Sequence, residues 1–450
     1  MDLLNQMRSE FQIAMRYEYL CAIVAAVCLA TALVWPASAV LSAVIAFAAF
    51  CSVLSHYRLH SPTNLAFLFL SITLIVAATS SDTWIALQDV PYLPSLIDND
   101  TRHWAMRYVA MTIDAMALGA CLVRLKRRDV HILDSSLRKE IQFPWIYLTA
   151  AFIPLLLNLA LYYLKLRGSG YEGLQEVGQG PYRRIFLLII VSHAAFLRLL
   201  GGWPYLGRTA RLTFGVAICL FLYIYVFLLS TRTNLFIFGV YVYYFFGWRI
   251  RWYVKVAALA TILILFGWIA NYRSVSYEGI KGSDFVGTVE GGIGIGTDFM
   301  LDMVHWANDE VRKNGCTWGA TSLMATTNHN PANEYVEEKA PAFAEAGGGF
   351  GFFYVAELVL DFGFVGGLFG ACILGAALQR ISTAQRGVFR STVLPALLGA
   401  SFPLVRNVFL MTLKTPIYII IGCVMLDRLA VYAHELVEHI KPAELPARTR

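Results

Sequence analysis

Residues 357–375 read ELVLDFGFVGGLFGACILG. Two acids, Glu357 and Asp361, stand one helical turn apart on one face of a run otherwise free of charge. A helix that crosses a bilayer needs about 20 mostly apolar residues, because lipid offers the backbone amides no other partner. The apolar run around this stretch, at about 350–377, meets that length and predicts a membrane span. Acids at such depth are costly and face a polar cavity or a partner. A structural pair with an arginine and a substrate-binding role both remain open for them.

The rest of the chain agrees that lipid is the solvent. Of its 450 residues 58% are apolar and 15% charged, whereas soluble domains run at about 45–50% and about 25%. One soluble core cannot bury that much apolar side chain. A cytosolic enzyme, a secreted disulfide scaffold and a disordered regulator are excluded. Seven of the eight cysteines lie in or beside apolar runs, where a thiol acts as a small hydrophobe, and Cys316 alone sits in a polar stretch. No CxxC or Cys/His spacing occurs, so neither zinc nor a disulfide framework is expected.

Twelve apolar runs can be marked, at about 17–34, 37–55, 64–80, 105–123, 144–164, 185–200, 212–229, 234–247, 254–270, 350–377, 393–410 and 416–433. The expected fold is all-α: a polytopic integral membrane protein of about twelve transmembrane helices. Nine spans fill 1–270, a large outer loop fills 271–349, and three spans with a tail fill 350–450. Basic loops set the orientation. The most basic, Arg124 to Arg128 with Arg138 and Lys139, is placed in the cytoplasm. Counting from it puts Arg8, Arg16, Arg58, Arg208, Arg211, Arg249, Arg251, Lys255, Arg380, Arg386, Arg390 and both termini on the same side. The acidic segment Asp82 to Asp100 falls outside. Ala37-Ser38-Ala39 has the form of a signal-peptidase site, but an apolar run follows at once, so the first helix is read as an uncleaved span.

The 271–349 segment is too long for a simple connection and holds eleven acids against five Lys/Arg. The positive surplus elsewhere is the cytoplasmic signature of a membrane protein, so no nucleic-acid partner is expected. Thr297-Asp298 opens a predicted helix whose Phe299, Met303 and Trp306 form one apolar stripe, suited to lying flat on a membrane. The glycines at 291–296 (GGIGIG) lack nucleotide-loop spacing. Asp98-Asn99-Asp100 has metal-compatible spacing, but such pairs are common in solvated loops, and no metal or cofactor is expected.

Several outer arginines run against the positive-inside bias. Arg232 lies in Ser230-Thr-Arg-Thr-Asn234, Arg273 in Ala270-Asn-Tyr-Arg273, and Arg406 in Val405-Arg-Asn407. Each alone is explained by snorkelling to head groups. Together they ask for an anion, and a pyrophosphate suits the guanidinium fork. His329 and Glu334, in Thr326-Thr-Asn-His-Asn-Pro-Ala-Asn-Glu-Tyr335, are the loop's candidate proton acceptors.

The Thr-Arg-x-Asn element resembles the Wzy-type O-antigen and enterobacterial common antigen polymerases. So do the late outer loop, the Gly-rich approach to ELVLDFGFVGGLFGACILG, and the helix end carrying Arg406. The similarity covers roughly Phe227 to Leu429 and lies more in the order of features than in letters. It implies a GT-C-like glycosyltransferase at the periplasmic face of the bacterial inner membrane, with the large loop periplasmic. Such an enzyme joins undecaprenyl-pyrophosphate-linked oligosaccharide repeats, releases undecaprenyl pyrophosphate, and works without metal or nucleotide sugar. Donor and acceptor are both lipid-linked, and a chain-length regulator is a further expected partner. The related O-antigen ligases use arginines for pyrophosphate and a loop histidine, which implies Arg232, Arg273 and Arg406 for the pyrophosphate and His329 for catalysis. The reading of the residues adds Glu334 to catalysis and Asn234, Glu357 and Asp361 to the glycan. The nearest rival is an O-antigen ligase. A transporter or flippase of polysaccharide precursors is a rival of another class, kept alive by the two acids.

Overall fold

A computed structural model describes residues 20–35, 99–123, 143–166, 188–228, 232–246, 285–321, 353–383, 389–399 and 409–440, with positions 41, 44, 185, 251, 334, 335, 337 and 338 between them. Every element among the described residues is helical, as apolar runs in lipid require. In chain order they are α1 (Leu20–Val34), α2 (Asn99–Leu122), α3 (Pro144–Leu161), α4 (Ile189–Gly201), α5 (Arg208–Leu222), α6 (Arg232–Phe246), α7 (Phe285–Asn314), α8 (Tyr354–Thr383), α9 (Leu394–Gly399) and α10 (Phe409–Ile440). Short π turns extend α3 and α5 and precede α9.

Five helices are long and apolar enough to cross a membrane, and α1, α4 and α6 are shorter apolar helices. Those eight coincide with eight of the twelve expected runs. Runs 37–55, 64–80 and 254–270 lie wholly or almost wholly outside the described residues, and run 393–410 is described in part. The chain forms two compact units. One joins α2, α7 and α8 with α1; the other joins α3 to α6 with residues 387–396 and α10 from Thr415 onward.

In the second unit the aromatic side chains of Phe196, Phe214, Phe221 and Phe238 interlock edge to face or tilted, with centroids 5.3 to 5.6 Å apart. Like ends of the helices meet. Arg198 of α4 reaches Asp427 of α10 at 2.7 Å and donates to Thr392 at 2.6 Å, and the Tyr147 hydroxyl of α3 donates to Asp427 at 2.9 Å. All four lie at ends that the basic-loop count assigns to one side. Toward the opposite ends, Asn158 donates to the Ile185 carbonyl at 3.2 Å and His193 pairs with Asn234 at 3.2 Å.

In the first unit two expectations change. The helix expected from Thr297 begins at Phe285, so the glycines at 291–296 lie inside it. Nor is it a surface helix: Leu301, Met303, Val304 and Ala307 are fully buried against α2 and α8. The spacing Phe299, Met303, Trp306 displays one apolar stripe; Leu301, Val304 and Ala307 add a second that wraps the helix.

The second correction concerns the run at 350–377, which is not one straight span. Gly363 has φ 72° and ψ −175°, outside any helix, and the chain folds back there. Gly367 sits 3.1 Å from the Leu358 carbonyl, measured from the Cβ position, and Gly370 as close to the Leu358 side chain. In a continuous helix, residues nine and twelve apart lie about 14 and 18 Å from each other. α8 is therefore a short re-entrant half (354–362) packed on a long half (364–383). The long half, at about 30 Å, is by itself long enough to cross a bilayer. Its exposed residues Val365 (75%), Phe369 (69%) and Ile373 form one outward stripe, as a lipid-facing helix requires. In the short half every residue is buried except the half-buried Leu358 and Phe362, which is exposed at the turn.

Contacts with α2 fix the direction. Tyr108 donates to the Phe364 carbonyl at 3.0 Å, and further along, Gly119 meets the Cys372 carbonyl and Gly375 the Met116 carbonyl. The long half thus runs parallel to α2, with glycines letting the backbones touch. The Tyr354 hydroxyl reaches Met116 at 2.8 Å, so the short half starts deep beside α2 and rises to the turn at Gly363.

Candidate active site

The turn at Gly363 frees backbone carbonyls at the end of the short half, and buried carbonyls require donors. The loop after α7 supplies them. Thr317 N donates to Leu360 O at 3.1 Å and Trp318 N to Asp361 O at 2.9 Å. The Asp361 carboxylate, 3% exposed, accepts the Thr317 hydroxyl at 2.5 Å and Thr321 N at 3.3 Å. Thr317 and Thr321 hydroxyls also meet at 2.7 Å. A buried carboxylate thus locks the loop onto the apex of the re-entrant half. Gly315, Trp318 and Gly319 all adopt positive φ to make this tight path.

Beside the apex stands an aromatic wall. Phe364 lies 4.8 Å from Tyr108 and 6.4 Å from Trp104, and Trp104 meets His305 of α7 edge-on at 5.8 Å. Arg102, in the first turns of α2, is a guanidinium 7% exposed.

The polar loop docks nearby on α7. The Tyr335 hydroxyl donates to Asp302 at 2.6 Å, and the Trp306 indole N–H to Glu338 at 2.8 Å. Burial, then the Asp302 charge, pushes the Tyr335 phenol well above its ordinary range. It stays a neutral donor and anchors the segment carrying Glu334.

Glu357 and Asp361 come together on the short half, both buried. Glu334 lies exposed beside the anchored Tyr335. Asn234 is in the other unit, engaged with His193, itself fully buried between Phe221 and Tyr241. Arg232 opens α6. His329, Arg273 and Arg406 lie outside the described residues. Among the described residues no group of three His, Cys, Asp or Glu side chains is placed to hold a metal. Thr317, Thr321, Tyr335 and His193 escaped sequence reasoning because hydroxyls, phenols and a histidine inside an apolar run carry no periodic or charge signal. Arg102 was overlooked because it opens an apolar helix, where a snorkelling side chain is the ordinary reading.

Residues 320–431, 112 of the 450, match the model of the family O-antigen polysaccharide polymerase Wzy. The matched stretch contains both halves of α8 and the two buried acids. That match bears out the resemblance carried by the sequence. No curated protein and no solved structure matches the chain.

Proposed function

We propose, starting from a Wzy-type polymerase match that falls on the re-entrant helix, that this membrane protein extends O-antigen by joining lipid-linked repeat units. The match at residues 320–431 is the observation that carries the reading. In the finer form of the proposal, the reaction runs at the periplasmic face of the inner membrane with both termini cytoplasmic. Donor and acceptor are undecaprenyl-pyrophosphate-linked oligosaccharides. The bond from the donor sugar's C1 to the pyrophosphate oxygen breaks, the acceptor hydroxyl oxygen bonds to C1, and its proton passes to a base. Undecaprenyl pyrophosphate leaves. A GT-C-like use of the fold and a chain-length regulator belong to the same proposal.

Negative charge develops on the leaving phosphate, and fixed guanidinium groups in a water-poor cleft stabilise it most. Arg232, Arg273 and Arg406 are assigned that role, and His329 or Glu334 the proton. Asn234, Glu357 and Asp361 are assigned to the glycan. The docking of Tyr335 on α7 supports Glu334 as an ordered group.

Deletion followed by lipopolysaccharide banding tests the reading. Loss should leave one repeat on the lipid A core, and the restored chain should return the ladder. Arg232→Ala and Arg232→Lys are both expected to leave the single-repeat cap, since a point charge does not replace a bidentate fork. A ladder of normal length in Arg232→Lys would show that charge alone suffices, and in Arg232→Ala would remove the residue from the chemistry.

A discontinuous helix of this kind is also how secondary transporters expose backbone within the membrane, which favours a precursor flippase as second reading. Loss of a flippase leaves no repeat on the core, as does loss of a ligase. The single-repeat band separates polymerisation from both.

A further inference from the structure

Trp318 is 79% exposed and, with Phe143, one of two described non-glycine residues at positive φ (54°). Both facts run against ordinary expectation. A left-handed conformation costs a residue with a Cβ about 1–2 kcal/mol, and glycine, which stands on its far side as Gly319, would avoid that cost. An indole this exposed gains little from packing within the chain. Yet its backbone is tied down, through Trp318 N to Asp361 O at 2.9 Å and its neighbour Thr317 to the Asp361 carboxylate at 2.5 Å. Strain held in place by the surrounding structure, on a group that buries nothing, points to use.

We propose that Trp318 is a stacking platform for a sugar ring of the lipid-linked repeat, held at the apex of the re-entrant half-helix. The proposal deepens the polymerase reading and rests on it for the class of ligand. A pyranose presents an apolar C–H face rimmed by hydroxyls. A rigid indole covers such a face at low entropic cost, while the half-buried Thr317 hydroxyl beside it offers a polar partner to the rim. The loop's tie to Asp361 makes the platform's position depend on the fold of α8. The competing role for an exposed tryptophan is an anchor at the membrane interface.

The full-length chain is supplied to the deletion strain as wild type, Trp318→Phe and Trp318→Gly. The purified proteins are dialysed to equilibrium against tritiated repeat-unit oligosaccharide cleaved from the organism's own lipopolysaccharide. Glycine suits φ 54°, so Trp318→Gly removes the ring while relieving the strain. A platform predicts that Trp318→Phe keeps a near-normal ladder. Trp318→Gly should shorten the ladder at unchanged membrane abundance and raise the half-saturating oligosaccharide concentration about tenfold. Unchanged binding and ladder in Trp318→Gly would overturn the proposal. So would a ladder that shortens only in step with protein lost from the membrane, the signature of an anchor. Should the wild-type chain restore no ladder, the polymerase reading fails, and the dialysis decides the stacking proposal by itself.

Discussion

The two units handle buried polarity in opposite ways. In the second, charge is neutralised side chain to side chain: Arg198 meets Asp427 and Thr392, and Tyr147 completes the set, tying α3, α4 and α10 with the turn before α9. In the first, a carboxylate is spent on one backbone N–H and one hydroxyl of a loop, at the apex of a helix that breaks and reverses. The first arrangement fixes helices to one another through paired side chains. The second gathers a broken helix capped by a loop, a strained tryptophan and two acids at one point, which is what a site needs and a scaffold avoids. The family match covers both acids and the reversal of that second arrangement and begins just after Trp318.

The contrast can be broken at its largest effect through Gly363. A Cβ there would sit at positive φ and 3.3 Å from the Cys316 sulfur. Gly363→Val is expected to cost about 3 kcal/mol or more, to deplete the protein from membranes and to abolish the ladder. Gly363→Ala combined with Cys316→Ala should recover part of the loss, since only the clash, not the strain, is relieved. Full tolerance of Gly363→Val, measured by membrane abundance and thermal unfolding in detergent, would mean the helix does not reverse.

Next in size is the ion pair. Arg198→Met or Asp427→Leu alone leaves an unpaired partner in an apolar setting and should cost roughly 3 kcal/mol. The double substitution should return to within about 1 kcal/mol of wild type and keep a normal ladder, because that cluster is structural. A double variant that is stable yet makes no polymer would erase the difference between the units.

Asp361→Asn sharpens the contrast from the other side. The amide oxygen still accepts from Thr317 and Thr321, but without the charge those bonds fall to roughly half strength, a loss of about 1 kcal/mol. Because the same loop carries Trp318, the ladder should shorten more than that small loss of stability explains. An unaltered ladder would separate the loop's order from activity.

The smallest effect is expected at Tyr335→Phe. Losing its bond to Asp302 should cost about 1 kcal/mol and speed proteolysis near Glu334. The folded phenol ionises above its ordinary range, so the wild-type contribution is fully present below the unfolded value of about 10 and is lost as pH rises beyond it. The phenylalanine variant should lack that alkaline decline.

Much of the fold was legible in the residues, and the reasons are physical. Apolar runs such as 144–164 and 416–433 are dictated by the lipid, and α3 with its π turn and α10 contain them. The pairing of like helix ends in the second unit agrees with the basic-loop count. Hydropathy over 350–377, by contrast, averages across a reversal. The sign of φ at Gly363 leaves no trace in a mean, and GFVGG reads as well for tight packing as for a turn. The helix at 285–314 was half legible, because one apolar stripe shows in the spacing and burial on two sides does not. Of the site, the acids Glu357 and Asp361 were visible as costly charges in an apolar run. The capping role of Asp361 was not, because its partners Thr317 and Thr321 lie forty and more residues away and pair with it only once the chain turns.

The fold-back of α8 is the claim on which the apex, the capped carboxylate and the platform all depend. Leu358→Cys and Gly370→Cys, placed together in a chain whose native cysteines are replaced, test it by oxidation in membranes. The reversed helix brings those positions into contact, so the pair should form a disulfide, seen as thiol labelling lost and then recovered on reduction. A straight helix would hold them about 18 Å apart, and two thiols that remain fully labelled after oxidation would contradict the account.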